Sequence, residues 1–471
     1  MVIVDSGSMT DPGEVLPLRS VPAADLHAER HSSPRRVALL FGSFRTGGVA
    51  RMTLHAAREF LARGFTVDLV VTRTRGDLVG AVPEGARVIE LERSPLWRAR
   101  AAILAADPGS LAPLLSAMAL RQKPSGKLRH LPSLVRYFRA IRPPAVLAAT
   151  APLNLIAVWA RRLARLDSRV VVGEHTMMSG EALSGRRWFY DCPPALLHRA
   201  YLQADAVIAV SDGVAADMAA NADIPRHRIT TVYNPVVGSH VASMARRRLD
   251  HDWFTSDGPP IVLGVGNLKP QKDFVTLIRA FARVRAERSA RLVILGDARG
   301  PDKDASYVAA LKRLPTELGI ERDVSFAGFA ENPFAYMSRA AVFVLSSAWE
   351  GFGNVLAEAL ACGCPVVSTD CPSGPAEILE QGRYGPLVPV GDDAALAAAI
   401  RRVLDAPPPR DELIGRAALF SVERAVDRYL ELMFGSTRPT QTLIAELRSD
   451  AARAPCTGST SPPPYDSVSD R

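Results

Sequence analysis

The sequence predicts an α/β fold, with two Rossmann-like domains whose parallel sheets face each other across a cleft. Three observations carry that expectation. Short, near-continuous apolar runs rich in Val, Ile and Leu alternate with longer helical patterns, as strands buried on both faces of a parallel sheet alternate with crossover helices. The alternation occurs twice, in 35–236 and again from 261, with a polar stretch at 237–260 between the two series. Each series places a Gly-bearing loop directly after its first strand, at Gly47-Gly48 and at Gly266. In open sheets of this kind ligands bind beyond the carboxyl ends of the strands.

Residues 1–34 lack periodicity and are expected to be a disordered tail. Strands follow at 37–41, 65–71, 86–91, 145–149, 169–174 and 206–210, and the series ends at 229–235. Helices are expected at 49–63, closed by Gly64, and at 154–166 and 195–203. The Gly/Arg/Asp-bearing stretch 237–260 reads as a linker. The second domain, 261–435, has strands at 261–265, 291–295, 324–327, 341–345 and 364–368. Its helices start near Asp273, Ser306, Asn332, Asn354 and Pro375, with a further one at 393–404. A last helix at 421–433, with Ser421 as N-cap, is counted with this domain. The Ser/Thr/Pro/Asp-rich stretch 436–471 is expected to be disordered.

The chain has 471 residues, 48% hydrophobic and 23% charged, which excludes collagenous, coiled-coil and wholly disordered classes. Five cysteines exclude a disulfide scaffold. Cys362, Cys364 and Cys371 lie close together, but no His or fourth Cys completes a tetrahedral site, so they read as small buried residues. The N-terminus lacks a basic run followed by an apolar stretch. The most apolar segment, 145–160, is interrupted by Thr150, Pro152 and Asn154, so no spanning helix is expected. A reducing, cytoplasmic setting fits.

Lys and Arg number 57 against 49 Asp and Glu, a net charge of +8. Ten of the cations fall in 93–142, where Asp107 is the only acid, so the rest of the chain is nearly neutral. The same stretch carries Leu96, Trp97, Ile103, Leu104, Leu111, Leu114, Leu115, Met118, Tyr137 and Phe138. An apolar segment flanked by cations reads either as an anchor on an anionic membrane surface or as a solvated helical insertion with its own small core. With 6% aromatic residues and no recognition motif, nucleic acid is not the expected partner.

Three loops carry chemistry. Gly42 and Gly47 have the outer spacing of a phosphate-binding P-loop, but Gly48-Val49 stands where Lys-Ser/Thr is required. What remains is a Gly pair opening a helix, whose free N–H groups can face an anion. Gly264 and Gly266 fail the dinucleotide fingerprint because Lys269 replaces its third Gly. With Asn267 and Lys272, this loop reads as a diphosphate clamp or as a solvated basic loop. The third block runs from Ser346 to Leu360, with Glu350 in a loop, Gly351 and Gly353 after it, and Glu358 one turn inside a helix opening near Asn354. The glycines permit close backbone approach, the helix start offers N–H donors, and the carboxylates can accept hydrogen bonds from sugar hydroxyls. Two Asp-x-Asp pairs, Asp250/Asp252 and Asp302/Asp304, lie outside these motifs, and no metal site is expected.

Glu350-Gly351-Phe352-Gly353 with Glu358, Gly374-Pro375-Ala376-Glu377-Ile378, and Gly266 with Gln271-Lys272 resemble the retaining glycosyltransferases of family 4. The similarity is dense from 261 to 404, including Gly328-Phe329, Asn332-Pro333 and Tyr384 to Val388. It is looser in the first half, through Gly47-Gly48, Glu174-His175 and Val232 to Pro235. The resemblance implies a GT-B fold and glycosyl transfer from a nucleotide sugar, with retention and without metal or cofactor; a UDP-sugar is the expected donor. It implies that Glu358 holds the donor ribose and Glu350 the transferred sugar. Backbone N–H groups of Gly351, Phe352, Gly353, Asn354, Val355 and Leu356 would bind sugar and diphosphate, and Lys272 would neutralise the leaving diphosphate. Relatives usually carry Arg where Asn267 stands here, with Lys269 the nearest replacement. His175 falls where relatives place a residue near the sugar, although a His after a strand is equally a packed structural residue.

The expected partners are therefore a nucleotide-sugar donor, a glycan or lipid-linked acceptor, and an anionic membrane surface met through 93–142, on the inner face of the plasma membrane. The competing reading is an epimerase or hydrolase of nucleotide sugars on the same fold, with no separate acceptor.

Overall fold

The computed structural model describes residues 2–4, 35–112, 126–183, 193–255, 257–298 and 305–435. Two sheets organise it. The first runs β1 (Val2–Val4), β4 (Arg87–Glu90), β3 (Thr66–Arg73), β2 (Arg36–Ser43), β5 (Ala145–Ala149), β6 (Arg169–Glu174), β7 (Ala206–Ala209) and β8 (Ile229–Thr231) in spatial order. Seven of its strands are parallel, and β1 pairs antiparallel with β4, Ile3 opposite Ile89. The second sheet, wholly parallel, runs β11 (Val324–Gly328), β10 (Arg291–Leu295), β9 (Ile261–Val265), β12 (Val342–Leu345), β13 (Val366–Thr369) and β14 (Leu387–Val388). Counted from each domain's first parallel strand the order is 3-2-1-4-5-6, with a seventh strand added at the far edge of the first sheet, the doubly wound arrangement, so strand order reverses between β2 and β5 and between β9 and β12. The loops after β2, β9 and β12 leave from those reversal points.

Four assignments of the sequence reading need correction. Val2–Val4 is a strand rather than part of a tail, because a Val-Ile-Val run suits the open edge of β4; 5–34 and 436–471 lie outside the described residues. The linker carries two short helices, His240–Ala245 and Asp252–Thr255. The first is pinned to the second domain, where the Asn332 amide donates to the Met244 carbonyl at 2.8 Å and the Ser338 hydroxyl to the Ala245 carbonyl at 2.9 Å.

The third correction concerns 93–142. Helices Leu96–Ala106 and Leu131–Ile141 cover the sheet, and Ile103, Tyr137 and Phe138 are buried in the same core as Leu40, Val70 and Ile89. Among the described residues the segment has no separate core. Leu96, Trp97 and Leu111 are exposed, while Leu114, Leu115 and Met118 lie outside the described residues.

The fourth is the last helix, Val422–Phe434. It packs on the first domain, not the second. Val422, Ala425, Val426, Tyr429, Leu430 and Met433 recur at helical spacing and join a core with Leu54, Phe60 and Leu69. Ser421 caps it as expected, its hydroxyl accepting from the Arg424 N–H at 3.3 Å. The Arg63 guanidinium donates to the Asp427 carboxylate at 2.6 Å. The chain thus crosses between domains twice, and the crossings touch: the Val236 and Val237 N–H groups donate to the Phe420 carbonyl at 3.1 and 3.0 Å, and the Val422 N–H to the Val237 carbonyl at 2.9 Å. Among the described residues no helix is long and apolar enough to cross a membrane.

Truncating Leu430 to Ala, at 2% exposure, is expected to destabilise the first domain by about 2–5 kcal/mol, the cost of an unfilled core cavity. Urea unfolding followed by a probe in that domain measures it; a loss confined to the second domain would contradict the packing.

Candidate active site

The reversal points of the two sheets face one another across a cavity of ≈ 320 Å³, within the range of small-molecule sites. The second domain supplies most of its wall. After β9 the loop Gly266–Lys272 turns back, held by the Ser346 hydroxyl donating to the Lys272 carbonyl at 2.8 Å and the Gln271 amide donating to the Trp349 carbonyl at 2.8 Å. This lacing brings the Lys272 ammonium onto the Glu350 carboxylate, with which it forms an ion pair. The Ser347 hydroxyl donates to the same carboxylate at 2.7 Å. Glu350 is therefore fixed rather than solvated.

Gly353, with φ at +94°, ends the loop in a left-handed conformation that favours glycine and starts helix Asn354–Ala361. Gly353, Asn354 and Val355 line the cavity, so the unpaired N–H groups of a helix start are presented to it. Glu358, one turn on, is buried, and its Oε2 has no hydrogen-bond partner among the described residues. Burial raises its pKa, opposed by Arg51 and Lys272. A buried acceptor left open at a cavity is matched to an incoming hydroxyl donor.

The first domain closes the other side. Gly47, Gly48 and Arg51, at the start of helix Gly48–Ala62, line the cavity with His55, His175 and Asn234. The Asn234 amide donates to the Asn354 side chain at 2.8 Å, joining the two walls. His175 follows β6; burial depresses its pKa to about 4, so its ring is neutral near pH 7, and its Nδ1 is buried without a partner among the described residues. A Cβ on Gly351 would lie 2.1 Å from the His175 carbonyl oxygen, so only glycine allows this approach of the domains. The Gly351 carbonyl in turn accepts from the Ser211 and Ser373 hydroxyls, each at 2.7 Å. Glu377 accepts from the Asp212 and Gly213 N–H groups at 2.8 and 3.0 Å, so a carboxylate of the second domain caps a helix of the first, Asp212–Ala222.

Thirteen of the fourteen site residues singled out from the sequence line this one cavity: Glu350, Lys272, His175, Gly47, Gly48, Asn267, Lys269, Gly351, Phe352, Gly353, Asn354, Val355 and Glu358. Leu356 does not. Its side chain is buried in the core and its N–H donates to the Gly353 carbonyl at 2.8 Å, so that donor is already used. The Phe352 ring packs against Tyr233 and Phe420, with centroids 5.5 and 5.4 Å away, leaving its backbone as the cavity-facing part. Sequence reading missed Arg51, His55 and Phe329, which also line the cavity. Arg51 and His55 lie one and two turns beyond Gly47-Gly48, a helical spacing that could have found them.

Asp250 and Asp252 are not among the cavity residues, Asp302 and Asp304 lie outside the described residues, and the described residues contain no cluster of three metal-ligating side chains. Cys362, Cys364 and Cys371 are buried, and burial holds all three thiols above their ordinary pKa.

Two parallel-sheet domains with a cleft between their reversal points define the GT-B architecture. A glycosyltransferase from Rickettsia africae superposes with a TM-score of 0.65 over 87% of this chain and 98% of that one at 15% identity. Anabaena HepE, solved with UDP and glucose, gives 0.59 over 89% and 99% at 20% identity. The chain belongs to the family 4 glycosyltransferases: residues 46–237 match the model described as Glycosyltransferase Family 4 and residues 259–406 that described as Glycosyl transferases group 1. A Campylobacter jejuni relative, N-acetylgalactosamine-N,N'-diacetylbacillosaminyl-diphospho-undecaprenol 4-alpha-N-acetylgalactosaminyltransferase, is 33% identical over 210 residues, which is 45% of this chain and 53% of the relative. The chain thus spans about half the length of the curated relative it matches.

Replacing Gly351 by Ala is expected to hold the domains apart and to lower turnover about a hundredfold, since roughly 1 Å of misplacement costs that much. Circular dichroism should be unchanged and small-angle scattering should report a larger radius. Full activity would show that closure does not need this contact.

Proposed function

We propose that the protein transfers a glycosyl group from a nucleotide sugar, most simply a UDP-sugar, to a glycan or lipid-linked acceptor with retention of anomeric configuration. The observation that carries the reading is the Lys272–Glu350 pair held beside a Gly-rich helix start, with the unfilled acceptor on Glu358 one turn away. In this reading Glu358 accepts from the ribose hydroxyls and Glu350 from the transferred sugar. Lys272, the Gly351–Val355 backbone and the helix start take up the charge that develops on the departing diphosphate. Because these groups supply the charge stabilisation, the reaction proceeds without metal and tolerates EDTA. His175, neutral, positions the sugar by hydrogen bonding and carries no proton charge into the step. The Campylobacter relative's lipid-diphosphate acceptor supports a lipid-linked acceptor here.

Release of nucleoside diphosphate in the presence and absence of acceptor tests this. Lys272→Ala is expected to reduce acceptor-dependent release by about a hundredfold or more, the scale of losing one charge-stabilising donor, and Glu358→Ala by about tenfold to a hundredfold, the scale of losing a hydrogen bond to a charged acceptor. Release at full rate without acceptor would favour the epimerase or hydrolase reading instead.

The acceptor reading extends to the surface. Leu96, Leu111 and Trp97 are exposed, the last at 65%, and the Arg98 guanidinium lies over the Trp97 ring at 5.1 Å. We propose that this patch rests on the anionic inner face of the plasma membrane, with the enzyme otherwise cytoplasmic. Trp97→Ala with Arg98→Glu is expected to weaken binding to vesicles rich in phosphatidylglycerol about tenfold, and wild-type binding should fall with salt. Salt-insensitive or absent binding would end the proposal.

A further inference from the structure

The cavity's charged groups are not equivalent. Lys272 is shared with Glu350. Glu358 is buried on the same wall, and the first residue after Gly266 is a neutral amide, Asn267. The opposite wall carries one cation, Arg51, in the first turn of helix Gly48–Ala62, where its N–H donates to the Gly47 carbonyl at 3.2 Å. Among the described residues its guanidinium has neither a hydrogen bond nor a carboxylate within ion-pair reach. It is partly buried, so water only partly compensates a fork of five donors. Its field crosses the cleft nonetheless: burial raises the pKa of Glu358 in the other domain and Arg51 opposes that rise, while burial depresses His55, one turn along its own helix, and Arg51 adds to that depression.

An unpaired guanidinium beside a helix start, facing a second helix start and a lysine, is suited to an anion with several oxygens. Phosphate matches its planar fork with two parallel hydrogen bonds. We propose that Arg51 binds the diphosphate of the donor from the first domain, completing with Lys272 a clamp whose two jaws belong to different domains. The assignment rests on the nucleotide-sugar reading. It gives the diphosphate a second role: it joins the two walls, so the cleft is electrostatically complete only when the donor is present. It also accounts for Asn267, since the second domain then needs no further cation at that position.

Calorimetric titration of UDP and GDP, with uridine and guanosine as phosphate-free probes, tests the assignment. Arg51→Ala is expected to weaken the bound nucleoside diphosphate about tenfold to a hundredfold, the range of one charge-assisted contact, and to leave the nucleoside unchanged. Arg51→Lys, which keeps the charge and loses the fork, should fall between. Adding Asn267→Arg to Arg51→Ala restores a cation from the opposite wall and should recover part of the loss. Unchanged diphosphate affinity in Arg51→Ala, or parallel loss of diphosphate and nucleoside, overturns the assignment. If wild-type protein binds neither diphosphate, the donor reading itself fails; if it binds one and Arg51→Ala is silent, only the role of Arg51 fails.

Discussion

The architecture depends on one steric constraint, the absence of a side chain at Gly351. Its Cα lies against the His175 backbone, where a methyl group would overlap the carbonyl oxygen, while its own carbonyl accepts from Ser211 of one domain and Ser373 of the other. That single peptide lets β6 and the loop after β12 approach closely. The polar contacts around it follow. Glu377 reaches the first turn of helix Asp212–Ala222, and Asn234 reaches Asn354. Each is a hydrogen bond across a domain boundary in which a charged or amide group satisfies backbone or amide partners that solvent would otherwise serve. The cavity is the space these contacts leave.

Within that space the electrostatics are arranged by burial. Glu350 keeps its place through Lys272 and Ser347, whereas Glu358 has an oxygen with no partner among the described residues. Two carboxylates eight positions apart thus have opposite states: one is satisfied by the protein, the other is left for a ligand. The histidines of the first wall are uncharged near neutrality, since burial depresses both His55 and His175 to about 4. The positive charge of the cleft is consequently carried by Arg51, Lys269 and Lys272.

Much of this was legible in the sequence because parallel strands buried on both faces write continuous apolar runs. The strands 145–149, 169–174, 261–265 and 291–295 have the limits expected from sequence. Helix starts at Asp273 and Ser421 were equally readable, because a side-chain oxygen at the N-cap is a local signal. Helix Asp212–Ala222 escaped because its Ala-rich sequence has little periodicity, and β14 because two residues are too short to write a pattern. The final helix shows a different limit. Its apolar stripe announced a buried face, but a stripe does not say which core it enters. The site divides in the same way: Gly351, Gly353, Glu350 and Glu358 form a motif in one stretch of chain, whereas Arg51 becomes a site residue only when the other domain is placed opposite it.

The paired crossings at Val236–Val237 and Phe420–Val422 have a mechanical consequence. Two adjacent segments bonded to each other cannot slide past one another without breaking three backbone hydrogen bonds. The two domains are thereby held in register where the crossings meet. Because the last helix is rooted in the first domain, the return crossing ties that domain to the second at a point fixed beside the outward one.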